Sequence, residues 1–305
     1  MPVNIPHQLP ARELLESENI FVMSDQRASH QDIRPLRIAI ANLMPTMIDT
    51  ETQLLRLLSN TPLQVEITLI RMGTHNPTNT SHEHLNAFYK TFEQAKDERF
   101  DGLVVTGAPL GHLDYEDVNY WEEFAALINW SSTNCFSTMH LCWAAHAALY
   151  LKYGLNKRRL PAKAFGVFDH QILDAHARIL RGFDETFRAP HSRHTEVPLD
   201  TVSNEPELKV LAQSNEVGAY LLSSKDDRNY FLTGHPEYER DTLAGEYHRD
   251  ISRGLDIALP VNYFKNNDPK QGPVMTWRSH GHLLYANWLN YCVYQETPFD
   301  LAELR

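Results

Sequence analysis

Between residues 36 and 153 short apolar runs take turns with amphipathic segments, and that alternation restricts the chain to few folds. Residues 36–43 (LRIAIANL) are mostly apolar and too short for a helix, and residues 65–72 (VEITLIRM) are rich in β-branched side chains. Both stretches predict buried strands. Between them, residues 49–59 (DTETQLLRLLS) open with Asp and Thr and carry leucines at helical spacing, which completes a strand-helix-strand unit. The pattern recurs as a polar-faced helix over 82–96, a strand over 102–106, a helix over 118–130, a strand over 135–141 and a helix over 144–153. Strands apolar on both faces and joined by helices imply the α/β class: a mostly parallel sheet with right-handed crossovers and helices on both faces.

After Pro161 the texture changes to short alternating segments at 166–173, 177–180, 207–213, 219–223 and 229–233, which predict a small antiparallel annex. A polar helix over 238–253 and an amphipathic helix over 282–295 close the chain. At the other end, residues 10–20 predict a short helix before Arg34-Pro35 breaks the chain, so 1–35 reads as an N-terminal arm and 36–305 as a single domain. Charge then narrows the partners. With 28 Lys and Arg against 39 Asp and Glu, the formal charge of -11 repels a phosphate backbone or an anionic bilayer, so neither nucleic acid nor membrane is an expected partner. No run approaches the roughly 18 to 20 apolar residues of a membrane helix, and the first ten residues lack the basic start and apolar run of a secretory signal. Three cysteines, Cys135, Cys142 and Cys292, are too few and odd in number for a disulfide framework, which fits a reducing cytoplasm.

Chemistry concentrates where the strand over 135–141 runs into an Ala-rich helix. Cys142 stands at the junction, in the position of a nucleophile elbow, where a tight turn projects a side chain above the carboxyl edge of the sheet. The partial positive charge of the helix N-terminus suits an anionic sulfur there, and Ala144 and Ala145 are small enough for the close packing behind the turn. Cys135, inside the strand, and Cys292, on the terminal helix, read as buried and inert. A thiol nucleophile needs a base, and Thr233-Gly234-His235-Pro236-Glu237 follows the strand over 229–233. In extended backbone His235 and Glu237 face the same way, so the carboxylate can hold one imidazole nitrogen while the other faces the thiol. The loop 106–111 (TGAPLG) lets backbone approach a substrate closely. Since Pro109 has no N–H, the expected oxyanion donors are the N–H groups of Leu110 and Trp143. The remaining histidine clusters lack metal-site spacing, and no Gly-rich nucleotide loop occurs.

Taken together, these residues resemble the homoserine O-succinyltransferase family of methionine biosynthesis. The stretches that carry the resemblance include NLMPTMIDTETQLLRLL (42–58), FDGLVVTGAPLG (100–111), CWAAHAALY (142–150), RAPHSR (188–193), TGHPEY (233–238), NYFKNNDP (262–269) and WRSHGHLLYANWLNYCVYQ (277–295), spread over nearly the whole chain. The resemblance implies a flavodoxin-like core similar to class I glutamine amidotransferases, with Cys142 as nucleophile, His235 and Glu237 beside it, and substrate binding at Lys163, Ser192 and Arg249. It implies no metal and no cofactor. L-homoserine and succinyl-CoA are the expected small-molecule partners, and self-association as a homodimer is left open. The family divides between succinyl and acetyl donors with the residue at Gly111; glycine leaves space, whereas Glu would repel the distal succinyl carboxylate, so succinyl is the expected group. His140 and Ala144 stand where the wider amidotransferase elbow has glycines, which argues against glutaminase chemistry. Three other readings stay open: acetyl transfer on the same triad, a cysteine hydrolase or amidase, and a metabolite-binding module with an idle triad.

Overall fold

The computed structural model describes residues 3–4, 8–17, 22–23, 34–75, 77 and 79–304. Their strands are β1 (Val3–Asn4), β2 (Val22–Met23), β3 (Leu36–Ala41), β4 (Val65–Arg71), β5 (Tyr89–Thr91), β6 (Phe100–Val105), β7 (Cys135–Leu141), β8 (Arg158–Ile172), β9 (Thr186–Glu196), β10 (Leu208–Ser214), β11 (Gly218–Ser224) and β12 (Asn229–Leu232). They join in one sheet in the order β2-β1-β4-β3-β6-β7-β12-β11-β10-β8-β9, with β5 on β4. From β2 to β12 neighbours run parallel, and from β12 to β9 antiparallel. The parallel α/β core and antiparallel annex expected from the sequence are therefore one continuous sheet. β6 is buried at every position, as a central parallel strand with both faces covered must be.

One apolar layer packs Leu54, Leu58 and the terminal residues Leu284, Tyr285 and Trp288 on one face. The other packs Phe124, Leu127, Trp143, Ala147 and Ala148 on the opposite face. The arm is not separate from this core in its described parts. Helix Ala11–Ser17 buries Ala11 and Leu15, Leu9 is buried beside them, and β1 pairs with β4. Arg34, at the arm's end, grips the fully buried Asp101 with two bonds of 2.8 and 3.0 Å.

Four segments differ from the sequence expectations. Residues 82–96 are two helices, His82–Phe88 and Phe92–Ala95, with β5 between them. The break follows a capping box in which Thr91 starts the second helix afresh with Gln94. Residues 177–180 hold a 3-10 turn, Arg178–Leu180, in place of a strand segment. β9 was not expected, because Pro190 and alternating polar residues disguise it; as the last strand of the sheet it tolerates a proline that an inner strand would not. The terminal helix starts earlier, at Arg278–Asn287, and continues as a π-helical stretch, Trp288–Tyr294. Among the described residues no helix is long and apolar enough to cross a membrane.

Candidate active site

β7 and β12 lie side by side in parallel register, with Leu141 opposite Leu232. Their carboxyl ends open onto one point, where Cys142 follows the first strand and Thr233-Gly234-His235 the second. Cys142 has φ 49° and ψ -111°, a conformation that L residues rarely adopt and that costs on the order of 1–3 kcal/mol. Its N–H donates to the Leu232 carbonyl at 2.6 Å, and its carbonyl accepts from His146 at 3.2 Å as helix Trp143–Tyr153 begins. The side chain is thereby lifted off the sheet edge, while Ala144 and Ala145 are fully buried behind it. This is the elbow that the strand-to-helix junction predicted.

His235 is fixed by its N–H, which donates to the Pro190 carbonyl at 2.8 Å, and by the Tyr238 ring stacked on its imidazole at 4.1 Å between centroids. Glu237 Oε1 lies 2.6 Å from Nδ1. Strand alternation is not what brings them together: Tyr238 N–H donates to the His235 carbonyl at 3.2 Å, so the two residues meet across a turn. The Cys142 sulfur interacts with the imidazole electrostatically, and with Nδ1 taken by Glu237 the nitrogen left for it is Nε2. Burial opposes a charge on His235, but the adjoining Cys142 and Glu237 outweigh it and hold the imidazole pKa well above its ordinary value. All three side chains are nearly buried, at 7%, 3% and 5% exposure for Cys142, His235 and Glu237, so their mutual attraction is little screened by water. Cys135 and Cys292 offer a contrast. Burial pushes both thiols up, that of Cys292 to about 11, and neither has a histidine base.

The donors around the sulfur differ in part from expectation. Trp143 is the first helical residue, and its N–H is among those a helix cannot satisfy internally. The Leu110 N–H, however, donates to the Ala108 carbonyl at 2.8 Å and is already engaged. Gly107 lies closer: a methyl group built there would stand 3.2 Å from Cys142 Cβ and 3.6 Å from His235 Cε1. Backbone at Gly107 and Ala108 thus faces the reacting atoms more directly than Leu110 does.

Lys163, on β8, and Ser192, on β9, come together with Arg249 of helix Thr242–Ser252 around two carboxylates that sequence reasoning missed. Lys163 Nζ lies 3.3 Å from Glu246 Oε2 and 3.6 Å from Asp250 Oδ2. Ser192 Oγ donates to the same Glu246 oxygen, and Tyr238 donates to Oε1 at 2.9 Å. Arg249 pairs with Asp250 at 2.8 Å and keeps half its side chain exposed. Glu246 is therefore a hub joined through Tyr238 to His235. Its spacing from Arg249 and Asp250, three and four residues on one helix face, was the available signal. Gly111 faces β9, and a methyl group there would meet Thr195 Oγ1 at 3.4 Å, an ordinary contact. Behind the site Arg193 is buried and bonds the carbonyls of Thr195 and Val217. Burial lowers its pKa while Cys142 opposes that shift, which places a fixed cation within electrostatic reach of the sulfur. A cleft of about 510 Å³ lined by Cys135, Phe136, Lys152 and Asp226 lies at the opposite, amino end of β7. Open α/β sheets react at their carboxyl edge, so the triad and not this cleft marks the candidate active site.

The family model described as homoserine O-succinyltransferase matches residues 2–299. The chain is 55% identical over 305 residues to a homoserine O-acetyltransferase of Acetivibrio thermocellus, covering 100% of both proteins. It is 54% identical over 304 residues to a homoserine O-succinyltransferase of Shewanella amazonensis, covering 100% of this chain and 96% of that one. Among solved structures, a glutamine amidotransferase from Thermotoga maritima is similar in fold alone, with a TM-score of 0.56 at 10% identity over 86% of this chain and 100% of that one.

Proposed function

The chain belongs to the homoserine O-succinyltransferase family, and from that premise we propose that it moves a succinyl group from succinyl-CoA to the hydroxyl of L-homoserine through a thioester on Cys142. The observation that carries the covalent route is the buried contact of Cys142 with His235, whose other nitrogen is held by Glu237 at 2.6 Å. The Cys142 sulfur bonds to the thioester carbon, the carbonyl electrons move to oxygen under the N–H groups near Gly107 and Trp143, and collapse breaks the bond to the CoA sulfur. His235 gives its proton to the departing thiolate. Exchange of one thioester for another leaves the acyl group activated.

The first half of the reaction prepares the second. An acylated Cys142 can carry no negative charge, so the largest support for a charged imidazole is then lost. Burial then favours neutral His235, which has Nε2 free to take the proton from the homoserine hydroxyl. The alkoxide attacks the acyl carbon, the C–S bond breaks, and the thiolate and imidazolium are restored. Homoserine carries both an ammonium and a carboxylate, and the site beside His235 offers both signs: Glu246 and Asp250 against Lys163, Arg249 and the Ser192 hydroxyl.

The choice of succinyl rests on Gly111, where the absent side chain leaves room and adds no negative charge near Thr195. Relatives of nearly equal identity carry the acetyl and the succinyl name, so the donor is decided by assay. Turnover with homoserine should be faster with succinyl-CoA than with acetyl-CoA, and Gly111→Glu should depress the succinyl rate more than the acetyl rate. A wild-type preference for acetyl-CoA would overturn the succinyl assignment and leave the triad untouched.

A further inference from the structure

The sheet reverses its winding between β3 and β6: β4 lies on one side of β3, and β6 and β7 on the other. In open α/β sheets the crevice outside the carboxyl ends at such a point is where ligands bind. Beside that point, at the ends of β3 and β4, a crevice is lined by Leu43, Met44, Arg71, Met72, His75 and Tyr120. Arg71 ends β4 and stands out among them. Its Nε is buried without a hydrogen-bond partner, Nη1 reaches only the Met72 carbonyl at 3.4 Å, and it has no ion pair among the described residues. The neighbouring acid, Glu123, is spent on the loop that follows, accepting from Gly73 N–H at 2.7 Å and Thr74 N–H at 2.9 Å. His75 sets its ring edge against Tyr120 at 5.2 Å and contacts Asn119 at 3.2 Å, which brings a second nitrogen base to the same crevice. A buried guanidinium N–H left without an acceptor is costly unless a ligand supplies one.

We propose that Arg71 is a binding residue for a phosphate group of the CoA moiety, so that the acyl donor enters over the β3–β4 side of the sheet while homoserine occupies the β8–β9 side. This rests on the proposed use of an acyl-CoA donor. Distance selects the phosphates over the acyl carboxylate. The order β4-β3-β6-β7 puts three strand steps between the ends of Arg71's strand and Cys142's strand, about 14 Å. A succinyl carboxylate lies only three carbon–carbon bonds from its thioester carbon, on the order of 4 Å, and cannot span that gap. The pantetheine arm, an extended diamide chain, covers on the order of 15 Å and can. Leu43 N–H donates to Thr106 Oγ1 at 2.7 Å, tying the loop after β3 to the loop that carries Gly107. The crevice holds about 20 Å³, space for a single phosphate oxygen beside the guanidinium and not for the whole group.

The test uses the full chain. Arg71→Gln should weaken CoA binding by titration calorimetry, and lower kcat/KM for succinyl-CoA and acetyl-CoA alike, by about tenfold to a hundredfold, with the homoserine KM unchanged. Arg71→Lys, which keeps the charge, should recover most of the loss, and thermal melting checks that both variants fold. Loss confined to succinyl-CoA would mean that Arg71 reads the acyl carboxylate and would overturn the assignment. Equal CoA binding by wild type and Arg71→Gln, no CoA binding by wild type, equal loss in both variants, or a change only in homoserine KM would overturn it as well. Should the wild type turn over neither donor, the proposed function fails, while the CoA titration still decides the role of Arg71.

Discussion

At the scale of single residues, Glu237 and Cys142 act on one imidazole. Both raise the His235 pKa against the pull of burial, so the imidazolium persists well above pH 6.5 in the free enzyme. The sign follows from that direction: a pKa raised in the folded state contributes stability that is full below the unfolded value near 6.5 and is lost as pH rises through the folded value. Glu237→Gln removes one of the two supports. It should lower kcat/KM for the acyl donor by about 10²- to 10⁴-fold and move the alkaline limb of its pH profile to lower pH. An unchanged limb, measured by initial rates across pH, would show that Glu237 does not act through His235. The sequence made these partners legible because a strand end, an Ala-rich helix start and a His-Pro-Glu run each have a local signature. It misled on Leu110, whose N–H is turned back onto Ala108, since a three-residue turn of that kind depends on loop closure that no pattern announces.

At the scale of elements the site is a meeting of two strand ends with one loop. The loop after β6 approaches so closely that only glycine fits without displacement, because a Cβ at Gly107 would press on Cys142 Cβ at 3.2 Å beside His235. Gly107→Ala should therefore lower kcat by tenfold or more, since a small misplacement at the reacting centre is expensive. The thermal midpoint should change little, because the neighbour must yield only a few tenths of an ångström. Wild-type kcat in that variant would show that the loop does not border the reaction. Apolar runs with a clear period, such as β3, β4 and β7, could be read from sequence. β9 could not, although it carries Ser192 and the Pro190 carbonyl that holds His235, because an edge strand with a proline has lost the pattern that marks a strand. The same limit hid β5, where three residues interrupt what reads as one helix.

For the whole molecule, one sheet carries both lobes of the site, and its interior holds several neutral histidines. Burial lowers His140, His146 and His170 each to about 3, and His191, 3.0 Å from His170, is held well below its ordinary value by burial and then by Arg193. These groups take up protons near pH 6.5 once the chain unfolds but resist them when folded, so stability is full above that value and falls as pH drops toward 3. With four such groups the slope can reach about 5 kcal/mol per pH unit. Thermal midpoints should drop steeply between pH 6.5 and 5, and a flat series would refute the neutral histidine core. The family assignment spans nearly the whole chain, and the central claim about it is chemical: that the acyl group rests on Cys142 before it reaches homoserine. Intact-protein and peptide mass spectrometry after mixing with succinyl-CoA alone tests this most directly. The mass of one succinyl group is expected on the Cys142 peptide, discharged when homoserine is added and absent in Cys142→Ala; full turnover without any such adduct, or an adduct on another residue that homoserine discharges, would contradict a thioester on Cys142.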